Sequence, residues 1–211
     1  MSKIPFGGHD FSKRAITDFL EELSSDSASP GGGAAAALTG ALGVALVEMV
    51  SRINERREQK KSGKKNPSSG HPLKIRSLGK IRQNFLQLMK RDTQAFLALS
   101  SFTKDNRTGK SYQQSVKNAA SVPLEMAHLA CLASSLAESE IGRTSRWLAS
   151  DLAEAAILLE ASFCSARLNV EINLPSIEDR SFLNRVKKEL DQLQKENQRS
   201  KIKLLKVLTH G

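Results

Sequence analysis

Leu78, Ile81, Phe85, Leu88, Ala95, Phe96 and Leu99 recur at three- and four-residue steps, the spacing of one face of a helix from roughly 73 to 102. Asp92 stands in that face, four residues after Leu88 and four before Phe96. Burying an unpaired carboxylate costs several kcal/mol or raises its pKa. A carboxyl with a raised pKa can take up and return a proton near neutral pH. An acid paired with a buried arginine, or capping another helix, would occupy the same kind of position.

Asp151 repeats the pattern at the edge of its own stripe, three residues after Leu148 and four before Ala155. Asn169 lies 18 residues further on the same face, about 27 Å away at 1.5 Å per residue, so the two cannot touch one atom. Asn169 and Asn173 are four apart and share a face. Helix-end hydrogen bonding would explain both equally well. The run Pro30-Gly31-Gly32-Gly33 opens a helix. Its free backbone N–H groups suit an anion, and a tight packing turn would read the same way. No Gly-Lys-Ser/Thr follows, so it is not a P-loop. The four His (9, 71, 128, 210) form no paired ligand spacing, and Cys131 and Cys164 no Cys-x-x-Cys, so no metal site is expected. Trp147, near a helix start, is expected to serve packing.

These residues need helices to position them, and helices fill the pattern. Phe11 to Leu23, capped by Asp10 or Ser12, is followed by an Ala- and Leu-rich helix from Ala34 to about Arg57. Further helices are expected near 73–102, 112–137 (with a kink or new start at Pro123), 147–173 and 177–208. No alternating strand signal competes. The expected architecture is all-α: a helical bundle of five to seven helices in a single domain over 1–211, with the long Ala-rich helix at its centre. The longest apolar run, Ala34 to Val47, is about 14 residues where a membrane span needs roughly 20, so no membrane contact is expected. No basic-apolar-small signal pattern opens the chain, so the expected location is cytoplasmic.

The chain has 211 residues and a net charge of +10. Eleven Lys/Arg and two acids between Arg52 and Arg82 supply +9 of it, and the other 180 residues only +1. The stretch at about 57–72 has breakers and no apolar periodicity, and reads as a basic loop between helices. It either aids solubility or binds an anion. No aromatic residue lies among its charges, so bases have no stacking platform and nucleic acid is not the expected partner.

Several segments together resemble one family. They are Phe19-Leu20-Glu21-Glu22-Leu23, Ser29-Pro30-Gly31-Gly32-Gly33-Ala34 with the helix after it, Asp92-Thr93-Gln94-Ala95-Phe96, Ser121-Val122-Pro123-Leu124, and Ser150-Asp151 with Asn169-Val170-Glu171-Ile172-Asn173-Leu174. In this order they are similar to the C-terminal domain family of formiminotransferase-cyclodeaminase. The resemblance implies a helical homodimer with folate, with or without further glutamyl residues, bound in a cleft. It implies Asp92 as the acid/base group, with Pro30, Gly31, Gly32, Gly33, Asp151, Asn169 and Asn173 around the substrate. The implied reactions close formimidoyltetrahydrofolate with loss of ammonia, or hydrolyse 5,10-methenyltetrahydrofolate. The family name inclines the expectation to the deaminase. Both need proton transfer and orientation, and no metal or redox cofactor is expected beside the tetrahydrofolate substrate. A basic cleft would suit the glutamyl tail.

The chain departs from the family at loops. Ala34 stands where a Ser is frequent, the Lys-rich insert is longer, Phe102-Thr103-Lys104 replaces a Leu-Pro-Lys segment, and Gly142-Arg143 replaces Gly-Asn. The rival expectation is a non-catalytic homologue that binds nucleic acid or an acidic partner through the basic loop.

Overall fold

The computed structural model describes residues 10, 15–62 and 71–209. Six α-helices carry the fold: α1 (Ile16–Leu23), α2 (Gly32–Ser62), α3 (His71–Ser100), α4 (Gly109–Glu138), α5 (Arg146–Glu171) and α6 (Arg180–Leu205). No strand occurs among the described residues. Each long helix packs on the next, and α2 closes against α5, so α2 to α5 form a four-helix ring. α6 lies against α4 and α5. The short connections from α3 to α4 and from α4 to α5 make neighbours antiparallel. The start of α2, the end of α3 and the end of α5 therefore meet at one end of the bundle.

Small residues let α2 sit at the centre. A Cβ at Gly40 would overlap the Phe85 ring and come 2.7 Å from Ser162 Oγ, and one at Gly43 would come 2.9 Å from Leu159. Ser162 Oγ, fully buried, donates to the Ala36 carbonyl at 2.8 Å. The other face of α2 and the outer face of α5 stay apolar and exposed, with Leu42 and Met49 on one and Ile157, Leu168 and Ile172 on the other. The α6 seam of Val186, Leu190, Leu193, Asn197, Ser200 and Leu204 is buried in the chain's own core. Its N-cap is Asp179, whose carboxylate accepts from Phe182 N at 3.0 Å and from Lys117 Nζ at 2.7 Å.

Several local expectations change. The basic stretch is helical through Ser62 and again from His71, and residues 63–70 of the expected loop lie outside the described residues. Its first part has no breaker, so α2 simply continues. α4 begins at Gly109, whose φ of +81° suits glycine, and not at Tyr112. Pro123 sits inside α4 without ending it. Asp10 pairs with Lys90 at 3.4 Å instead of capping α1, and Ser12 lies outside the described residues. Trp147 is 90% exposed, because the second residue of α5 projects away from the ring. α2 and α4 are long and apolar enough as whole helices to cross a membrane, which the 14-residue run did not suggest; 61% of each apolar stretch is buried in the bundle.

At the far end of the ring, Glu140 is completely buried in the α4–α5 turn. It accepts from Ser51 Oγ at 2.9 Å and Asn54 Nδ2 at 2.8 Å on α2, from Lys74 on α3, and from Arg143. This junction ties three elements together.

Candidate functional site

Asp92 lies in the last third of α3, on the side that faces the start of α2. A Cβ on Gly33 would overlap its carboxylate, so only glycine leaves room for the acid there. Asp92 is half-buried and, among the described residues, has no hydrogen-bond or ion-pair partner. Burial pushes its carboxyl up to about 6. The acid is therefore neither paired with an arginine nor used as a cap, two of the roles its place in the stripe allowed.

It opens into a cavity of about 360 Å³ at the end of the bundle. Gly31, Gly32 and Gly33 form one wall, Asn169 and Asn173 another, and Phe96 and Ile172 the mouth. Four helices thus contribute, since Ala119 of α4 also reaches the lining. A Cβ on Gly32 would be 3.8 Å from the Asn169 carboxamide, which places that amide directly across from the turn. Asn169 Nδ2 donates to Ser165 O at 2.8 Å, and Asn173 Nδ2 to Asn169 O at 2.8 Å. Both amides spend donors on backbone carbonyls while they line the cavity. Ser29 Oγ donates to Thr93 Oγ1 at 3.4 Å, joining the turn to the residue after Asp92.

The structure brings together Asp92, Gly31, Gly32, Gly33, Asn169 and Asn173. Pro30 is buried behind the turn and does not line the cavity. Asp151 does not reach it either: it sits near the start of α5, at the opposite end of the bundle from Asn169. Shared helix phase says nothing of position along the axis. Phe96, expected in the buried stripe, is 42% exposed at the mouth. The sequence reading missed Ser29 and Thr93 as part of this wall, and Ala119 and Ile172 too. Being adjacent to named residues was the signal for Thr93 and Ile172, and nothing local marked Ala119. Among the described residues, the cavity lining holds no Lys or Arg. Asp92 against the glycine turn also sets negative charge where an anion site was one expectation. Among the described residues, no three His, Cys, Asp or Glu side chains converge as metal ligands.

Fold and cavity together define an all-helical protein with one unpaired carboxylate where four helices meet. The family model described as formiminotransferase-cyclodeaminase matches residues 15–192. A methenyltetrahydrofolate cyclohydrolase of Methylorubrum extorquens is 31% identical over 186 residues, 84% of this chain and 88% of that protein. A formimidoyltransferase-cyclodeaminase of Sus scrofa is 30% identical over 190 residues, 87% of this chain and 35% of that longer protein. The crystal structure of a formiminotetrahydrofolate cyclodeaminase from Thermotoga maritima superposes with a TM-score of 0.83 at 26% identity, covering 93% of this chain and 96% of that one. The chain belongs to the formiminotransferase-cyclodeaminase family.

Proposed function

We propose that this chain is a folate one-carbon enzyme that acts at the carbon shared by N5 and N10 of tetrahydrofolate, with Asp92 as its general acid/base. The observation that carries this is the unpaired, partly buried Asp92 carboxyl beside the Gly31–Gly33 turn. Relatives of nearly the same length carry names for the two reactions the site suits. In the hydrolytic direction, ionised Asp92 takes a proton from water as its oxygen bonds to the methenyl carbon. The proton on Asp92 then passes to N5 as the carbon–N5 bond breaks, the remaining hydroxyl proton goes to solvent as the formyl C=O forms, and 10-formyltetrahydrofolate leaves. In the deaminating direction, N10 attacks the formimidoyl carbon. Asp92 takes the N10 proton and delivers it to the departing amine, which leaves as ammonia. One carboxyl with a pKa near 6 serves both.

Charge supports the same reading. Among the described residues, the cavity presents one carboxylate and two side-chain amides and no cation. The methenyl form and the protonated formimidoyl form each carry a positive one-carbon centre, which such a lining attracts. The glutamyl tail extends outward past Phe96 and Ile172 to solvent.

The enzyme works as a cytoplasmic homodimer. A second copy covers the exposed apolar faces of α2 and α5, where Leu42, Met49, Ile157 and Leu168 otherwise meet water.

Purified protein is given methenyltetrahydrofolate, followed by its absorbance, and formimidoyltetrahydrofolate, followed by ammonia. Turnover of either that disappears in Asp92→Asn supports the reading and names the substrate. Failure to turn over both, or full activity of Asp92→Asn, rejects it.

A further inference from the structure

Pro123 stands in the middle of α4, within a helix of 30 residues. Proline has no backbone N–H, so the carbonyl of Ala119, four residues earlier, loses its helical donor. A second helix supplies one. Asn173, just beyond the end of α5, donates from Nδ2 to Ala119 O at 3.5 Å and to Asn169 O at 2.8 Å. Asn169 O belongs to the last turn of α5, where carbonyls also lack helical donors. One NH2 group thus joins two orphaned carbonyls from two helices, and both of its protons are committed. Rotating the amide would set its oxygen against two carbonyl oxygens, so Nδ2 and Oδ1 cannot exchange places. Among the described residues, Oδ1 has no donor. Asn173 and Ala119 both line the cavity that holds Asp92.

We infer that Pro123 is a positioning residue for this cavity: by withdrawing the helical donor from Ala119, it fixes Asn173 Oδ1 as an acceptor for an N–H group of the bound ligand. The ligand class is a flat, amide-like heterocycle with N–H donors on one edge. A reduced pterin is of that class, and for this identity the inference rests on the function proposed above. The positioning itself rests on the α4–α5 geometry alone. An unbroken α4 would satisfy Ala119 from residue 123 and leave the Asn173 amide with one anchor in place of two. The proline is thus more than a tolerated irregularity of α4.

The test uses the full chain with Pro123→Ala, Asn173→Ala and the double variant. Alanine restores the N–H at 123 and removes a residue that disfavours helix, so thermal stability should hold or rise. In side-chain amide NMR of the protein without ligand, one Asn173 NH2 proton should move upfield and exchange faster in Pro123→Ala, while the other stays. An unmoved pair overturns the inference whatever the activity. With methenyltetrahydrofolate or formimidoyltetrahydrofolate, Pro123→Ala should raise KM about tenfold at nearly constant kcat, the pattern of a lost binding contact. Placed on Asn173→Ala, it should raise KM no further. Equal effects in both backgrounds would mark a purely structural proline and overturn the inference. If the wild-type chain turns over neither folate, the functional reading falls, and the amide signals still decide the role of Pro123.

Discussion

The Asp92 carboxylate occupies the space into which a side chain at position 33 would project. The glycine turn is therefore required by the acid, and the two must be considered as one unit. Gly33→Ala should push Asp92 out of place or force the start of α2 away from α3. Strain of this kind costs about 1–3 kcal/mol. Activity should fall at least ~100-fold, since a misplacement of about 1 Å carries such a loss. Gly31→Ala, where an added Cβ meets nothing within 4 Å, should be far milder. Steady-state rates of the two variants, with melting curves, check this.

Asp92 predicts a pH signature. Its folded-state carboxyl is raised from 3.8 to about 6, so the folded protein holds the proton more tightly than the unfolded chain does. Stability should then fall as pH rises from about 4 to about 6, and stay at the lower level above that. Asp92→Asn removes this penalty. It should melt higher than wild type at pH 8, by on the order of 1–2 kcal/mol after allowing for solvent in the cavity, and similarly at pH 4. In wild type, kcat/KM should fall below about pH 6 as the base is protonated. Equal melting of Asp92→Asn and wild type at both pH values would contradict the raised carboxyl.

Glu140 should matter to stability and not to chemistry. It is buried at the end of the bundle away from the cavity and collects hydrogen bonds from Ser51, Asn54, Lys74 and Arg143. Glu140→Ala leaves the half-buried Lys74 and Arg143 without their common partner. A loss of about 3–5 kcal/mol in denaturant unfolding is expected. The fraction that remains folded should keep the wild-type KM.

The apolar outer faces of α2 and α5 predict the assembly. Leu42→Glu, at a side chain 49% exposed in the single chain, should halve the mass seen by light scattering without unfolding the bundle. A wild-type protein already monomeric at micromolar concentration would show that no second copy covers this face.

Local sequence determined the helices and singled out Asp92. Three- and four-residue apolar spacing marks where α3 and α5 lie, because an apolar stripe must face a core wherever the core is. The same spacing isolated Asp92, since a carboxylate within such a stripe is costly in any bundle. Helical phase could not say which end of the molecule a residue occupies. Asp151 and Asn169 share a face of α5, yet only Asn169 meets the cavity, because antiparallel packing brings the end of α5 to the start of α2. Only that packing seats Asp92 beside Gly33, leaves Phe96 at a mouth and turns the gap made by Pro123 toward Asn173. Each of these depends on two segments far apart in the chain, and no local pattern encodes how two helices are set against each other.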